Sequence, residues 1–128
     1  PTRTYAPVVK EIISKVGVSN IDGMIHCSGG AQTKVLHFVE NKHIIKDNLF
    51  NTPIIFDLIQ DESKTSWKEM YQVFNMGHRL EIYTDKLSAQ KIIDISASFN
   101  LEAKIIGRVE DSKSNKLSIS GDKGNFEY

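Results

Sequence analysis

The run Gly23-Met24-Ile25-His26-Cys27-Ser28 leads into a Gly29-Gly30 pair and then into Ala31-Gln32-Thr33-Lys34-Val35-Leu36, whose composition suits a helix. Strand, glycine turn and helix in that order constrain the chain more than any other feature, because they fix both a reversal of the backbone and what can approach it. Lacking Cβ atoms, Gly29 and Gly30 can both take positive φ and let a ligand close to the main chain. The unpaired N–H groups and dipole of the following helix then favour a phosphate. The same residues also make a plain tight turn, and no Lys-Ser/Thr pair follows as in a P-loop, so the local pattern leaves both readings open.

Around this turn, helical and strand periodicities alternate. Val8, Val9, Ile12, Ile13 and Val16 recur at helical spacing, with Thr4 as a cap, Pro7 in the first turn and Gly17 as the stop. Ile21 to Cys27 reads as a buried strand, Ala31 to about Val39 as a helix, and His43 to Lys46 as a short strand. Thr52-Pro53 starts a helix, and Ile54, Ile55, Leu58 and Ile59 supply its apolar face through Gln60. Ser66-Trp67-Lys68-Glu69 is a capping box opening a helix toward Phe74. Arg79 to Thr84 alternates as a strand with Leu80, Ile82 and Thr84 on one face, and Ser88 to Phe99 is helical with Ile92, Ile93, Ile95 and Phe99 buried. Lys104 to Val109 and Lys116 to Ser120 are strands, and the tail from Gly121 is expected to be loosely held. The pattern is α+β: a mixed β-sheet with packed helices, in a single domain without repeats.

Composition narrows the function classes. The chain has 128 residues, 40% of them hydrophobic, enough to bury a core. Sixteen basic and sixteen acidic residues give zero formal charge, which argues against a general affinity for nucleic acid. Apolar runs of only a few residues and the lack of a basic amphipathic anchor argue against a membrane partner. The lone Cys27 cannot form an internal disulfide and fits a reducing cytoplasm.

Self-contained catalytic constellations are scarce. His26, His37, His43 and His78 do not pair with Cys27 at a zinc spacing, so no metal site is expected, and Ser28 lacks the Gly-x-Ser-x-Gly elbow of a hydrolase. His26 and Cys27 are neighbours on a strand and point to opposite faces, which disfavours thiol activation and favours a buried structural Cys27. Arg3 lies just before the first helix, where its guanidinium can fork onto a phosphate. Asn75 suits either a ligand contact or a helix stop, since Asn75 and Gly77 both tolerate the left-handed region. Trp67 reads as core or interface.

Three segments in order, Pro1-Thr2-Arg3-Thr4-Tyr5, His26-Cys27-Ser28-Gly29-Gly30 and Phe74-Asn75-Met76-Gly77, resemble the C-terminal domain of the aminoimidazole ribonucleotide synthetase (phosphoribosylformylglycinamidine cyclo-ligase) family. There they correspond to a Pro-Thr-Arg-Ile-Tyr segment, a His-x-x-Gly-Gly-Gly loop and a Phe-Asn-x-Gly segment. Ala103-Lys104-Ile105-Ile106-Gly107-Arg108-Val109 looks like the family's closing strand, so the resemblance spans nearly the whole chain.

The resemblance implies a piece of a longer homodimeric, cytoplasmic enzyme, inactive alone. An N-terminal domain, outside this sequence, would supply most contacts to ATP and Mg2+. The family uses ATP to close the imidazole ring of formylglycinamidine ribonucleotide, releasing ADP and phosphate. It implies that Arg3, His26, Ser28, Gly29, Gly30, Ala31, Thr33 and Asn75 line the substrate or phosphate site; it assigns no catalytic residue. Three departures stand out. Ala31 replaces the third loop glycine and is tolerable if it has entered the helix at negative φ, and Lys34-Val35 replaces a Glu-Asn pair. His78-Arg79-Leu80-Glu81 also stands where the family runs through small and apolar residues. These departures keep open a related ATP-dependent family of the same architecture, such as selenophosphate synthetase or thiamine monophosphate kinase, or a non-catalytic interaction module.

Overall fold

Val8, Ile12 and Val16 fall on one face of helix α1 (Ala6–Val16) and are buried in the computed structural model, which describes residues 4–128. Arg3 lies outside the described residues. Pro7 sits in the first turn, as its fixed φ requires, and Gly17 ends the helix at φ +87° with its N–H on the Ile13 carbonyl. The expected Thr4 cap is not found: the cap position belongs to Tyr5, which makes no side-chain cap bond.

The chain forms two compact units. In the first (residues 4–24 and 82–105), α1 packs on helix α4 (Lys86–Ser98), with Ile92 and Ile95 joining Val8, Ile12 and Val16 in one core. Helix α4 starts two residues before the expected Ser88, because the Asp85 carboxylate accepts the Leu87 and Ser88 amides at 2.8 and 3.0 Å and the Ser88 hydroxyl at 2.6 Å. Those bonds, the Ser88 hydroxyl's first, hold the Asp85 carboxyl below its ordinary pKa. Ile93 is only half-buried, and Phe99, expected in the core, is exposed because the helix has ended before it.

In the second unit (residues 25–81 and 106–128), a four-stranded mixed sheet runs in the order β4 (Gly107–Asp111), β2 (Lys42–Lys46), β5 (Lys116–Gly121), β6 (Gly124–Glu127). Strand β2 pairs antiparallel with β4 and parallel with β5, in registers Lys46↔Gly107 and Ile44↔Leu117. Ile44, Leu117 and Ile119 are buried. Strand β4 starts three residues later than expected, at Gly107, where a Cβ would stand 1.8 Å from the Ile45 carbonyl oxygen. The tail is not loose. Gly124 at φ +125° allows a tight reversal, β6 pairs antiparallel with β5, and the Tyr128 and Leu117 main chains exchange two hydrogen bonds. Within that reversal, Asp122 accepts from the Thr52 hydroxyl at 2.8 Å, and Lys123 pairs with Asp57 at 2.5 Å while standing over the half-buried Trp67 ring.

Helix α2 (Ile54–Ser63) leaves most of its apolar face uncovered: Ile54, Ile55 and Leu58 are exposed, and no residue of the helix is buried. Its attachment runs through Phe56, whose ring lies 5.9 Å from Phe74, and through Asp57, so Ile54, Ile55 and Leu58 fall on the other side. Pro53 stands just outside the helix in extended backbone, not at its first position. Helix α3 (Trp67–Val73) begins as expected, with the Ser66 hydroxyl accepting the Glu69 amide at 3.3 Å, and buries Met70 and Tyr71. Strands β1 (Ile21–His26) and β3 (Leu80–Thr84) pair as a separate two-stranded ladder. In β3 the buried residue is Glu81, on the face opposite Leu80 and Ile82, which are only partly covered. The architecture is α+β, with helices packed on mixed sheets. Among the described residues, no helix is long and apolar enough to cross a membrane.

Candidate functional site at the glycine turn

Strand β1 delivers His26 and Cys27 to the turn with opposite orientations: His26 is exposed and Cys27 is buried, as strand alternation requires. Burial pushes the Cys27 thiol up to about 12, with the neighbouring Glu81 carboxylate acting in the same direction. Such a thiol is no nucleophile. His26, Ser28, Gly29 and Gly30 then form an exposed run, while Ala31 and Thr33 are buried beneath it.

The turn differs from the expected strand–glycine–α-helix in three ways. Only Gly30 has positive φ, at +79°; Gly29 does not. Ala31 does not enter at negative φ but sits at +40°, an unfavourable region for a side chain with a Cβ. The segment that follows, Ala31–His37, is a 3-10 helix. The cause lies in local bonding: the Ala31 amide donates to the Ser28 carbonyl at 2.8 Å, and the Thr33 amide and hydroxyl both donate to the Gly30 carbonyl at 2.9 Å. These i to i+3 closures tighten the turn. They also occupy two of the amides a helix N-terminus would otherwise present to an anion.

A positive charge is nevertheless present. The Lys34 ammonium reaches back across the turn to the Ser28 hydroxyl at 2.9 Å and the His26 carbonyl at 3.1 Å. Nothing in the local sequence pattern marks Lys34 as the cation of this turn.

Asn75 joins the same site from below. Its side-chain oxygen accepts the Gly77 amide at 2.9 Å, closing a turn in which Met76 and Gly77 take φ +52° and +97°. Its carbonyl accepts both the His78 amide at 2.9 Å and the Gln32 side-chain amide at 2.8 Å. Asn75 is thus a turn-closing residue tied to the segment after the glycines. His78 is buried, its Nε2 accepting the Phe50 amide at 3.2 Å.

Gln32, Lys46 and Glu81 were missed as a group. Lys46 donates to the Gln32 carbonyl at 2.9 Å, the Gln32 side-chain oxygen at 2.8 Å and Glu81 Oε1 at 2.6 Å, and all three residues are buried. A signal was available: Lys46 lies two residues from Ile44 on a strand, on the same inward face, where a charge demands a partner. Among the described residues, no group of three His, Cys, Asp or Glu is arranged to hold a metal ion.

The family model described as AIR synthase related protein, C-terminal domain, matches residues 2–120. A phosphoribosylformylglycinamidine cyclo-ligase of Methanococcus maripaludis (strain C5) is 36% identical over 112 residues, which cover 88% of this chain and 31% of that protein. The protein of the same name from Methanocaldococcus jannaschii is 33% identical over 123 residues, 96% of this chain and 34% of the relative. That from Coxiella burnetii is 27% identical over 123 residues. The chain spans about a third of the length of these curated relatives. With a match running from residue 2 to residue 120 and relatives of one name covering most of it, the chain belongs to the AIR synthase related protein C-terminal domain family.

Proposed function

We propose that the protein carrying this chain is a phosphoribosylformylglycinamidine cyclo-ligase, a ligase of purine biosynthesis, and that the glycine turn holds a phosphate of its substrate or nucleotide. The relatives' shared name supports the reaction class. The exposed His26-Ser28-Gly29-Gly30 run with the Lys34 ammonium across it is the observation that carries the site. In this reading ATP transfers its γ-phosphoryl group to the formyl oxygen of formylglycinamidine ribonucleotide, and ADP leaves. The substrate's amine then attacks that carbon, expelling phosphate and closing the ring.

This chain's part is positioning and charge stabilisation, the larger share of catalysis in phosphoryl transfer. His26 and Ser28 border the bound group, Gly29 and Gly30 let it approach the backbone, and Ala31 and Thr33 set the turn's shape from below. Asn75 supports the turn from the adjacent segment. Arg3 is proposed as a further phosphate contact on the strength of its donor fork alone. ATP and its Mg2+ are proposed to be held mainly by an N-terminal domain of a longer, cytoplasmic, homodimeric protein, as the family resemblance implies.

The test is product formation. The open reading frame containing this segment is expressed, and ADP and aminoimidazole ribonucleotide are assayed from ATP plus formylglycinamidine ribonucleotide, with and without Gly30→Val. Gly30 is at φ +79°, so a β-branched residue there is strained and the turn must open. Product that vanishes with the substitution supports both reaction and site; a folded wild type that forms none overturns the reaction.

A further inference from the structure

Two residues with side chains sit in the left-handed region next to the site: Ala31 at φ +40° and Met76 at φ +52°, both almost completely buried. Such backbone is unfavourable for a residue that carries a Cβ, and it persists only where the surroundings over-determine the conformation. The residue after Ala31 is Gln32, and the residue before Met76 is Asn75. Gln32 Nε2 donates to the Asn75 carbonyl at 2.8 Å, so one hydrogen bond ties the two strained turns together.

That bond is itself directed. The Gln32 amide can present its nitrogen to Asn75 only if its oxygen points the other way, and there it meets the Lys46 ammonium at 2.8 Å. Lys46 has three N–H groups and three acceptors: Gln32 Oε1, the Gln32 carbonyl and Glu81 Oε1. Among the described residues no buried side-chain nitrogen or oxygen is left unpaired. Glu81 orients Lys46, Lys46 orients Gln32, and Gln32 holds Asn75.

We infer that Gln32 is a positioning residue, oriented by Lys46 and Glu81, which fixes the Asn75–Gly77 turn against the glycine turn in the geometry that the substrate site requires. The functional half of this inference rests on the site proposed above; the structural half does not. Gln32 touches no substrate in this scheme. It acts through the shape of the two turns, and its loss is expected to weaken substrate binding more than the chemical step.

Gln32→Glu isolates the bridge. A carboxylate at that position keeps an oxygen for Lys46 but has no donor for the Asn75 carbonyl; Gln32→Met removes both bonds at similar length. In the protein containing this chain, hydrogen exchange followed by mass spectrometry is expected to show at least tenfold faster exchange in peptides covering residues 75–78 for both variants. Peptides covering Leu117 on β5 are expected to stay unchanged. In the same proteins, KM for formylglycinamidine ribonucleotide is expected to rise tenfold or more, with kcat within about threefold of wild type. Unchanged exchange at residues 75–78 in a folded Gln32→Glu protein overturns the bridge whatever the enzyme does. Faster exchange with KM within twofold of wild type overturns the positioning role. A wild type without turnover instead overturns the proposed reaction, and the exchange measurement still decides the bridge.

Discussion

Lys46 Nζ lies 2.6 Å from Glu81 Oε1, and both side chains are withdrawn from solvent to within a few per cent. An ion pair in such a place is not a cheap source of stability. Desolvating two charges costs several kcal/mol each, and the mutual attraction returns this only when every remaining donor and acceptor is matched. Here the third member, Gln32, completes the matching with its carbonyl and side-chain oxygens.

Removing one member is therefore expected to cost far more than removing two. Lys46→Met leaves the Glu81 carboxylate buried without its cation, and a loss of about 3–5 kcal/mol is expected in urea unfolding. Lys46→Met combined with Glu81→Leu removes both charges, and more than half of that loss should return. Equal destabilisation in the single and double variants would show that an unpaired buried carboxylate is not what the single substitution costs.

Gly107 presents a different constraint. A Cβ there would stand 1.8 Å from the Ile45 carbonyl oxygen and 2.9 Å from the Lys46 Cα, both backbone atoms that cannot rotate away. Gly107→Ala has to part β4 from β2 where Lys46 pairs with Gly107. A cost of about 1–3 kcal/mol is the usual scale of overpacking, with backbone displacement placing it at the upper end. The measurement is the thermal midpoint, expected to fall by several degrees; a midpoint within one degree of wild type would mean that the strands can separate freely.

Helix α2 yields the opposite expectation. Ile54 is 75% exposed and Leu58 57% exposed, so their charged replacements remove little buried apolar surface. Ile54→Lys with Leu58→Glu is expected to change stability by no more than about 0.5 kcal/mol, the range for exposed positions. A larger loss in urea unfolding would give these residues a core role.

That helix also shows where sequence reasoning stops. Periodicity found α2 and its apolar stripe, but a stripe states only that one face is apolar, and the attachment of Phe56 and Asp57 to partners distant in sequence decided which face turned inward. Helix α1, the Ser66 cap and strand β2 were legible because their signals are local. At the glycine turn, the glycines were legible and the conformation was not. Whether Ala31 lies inside a helix or before it depends on hydrogen bonds of the Ser28 and Gly30 carbonyls, which composition does not determine. The buried triad escaped for a related reason: strand alternation marks Lys46 as inward, but Gln32 and Glu81 are far from it in sequence and nothing local names them as its partners.

Cys27 couples this interior to pH. Its thiol is raised from an ordinary value of 9.0 to about 12, first by burial and then by the nearby Glu81 charge. Between those two values the folded protein keeps the proton that the unfolded chain gives up, so the folded state binds more protons and stability falls as pH rises. The contribution is fully present below pH 9 and is lost as pH climbs toward 12, at roughly 1.4 kcal/mol per pH unit. Lysines and tyrosines titrate in the same window, so the comparison is with Cys27→Ala, which shares them. Urea unfolding of both proteins at pH 8 and pH 10.5 should show the wild type's advantage over Cys27→Ala shrinking by about 2 kcal/mol at the higher pH. A constant difference would mean that the thiol ionises as easily in the folded protein as in the unfolded chain.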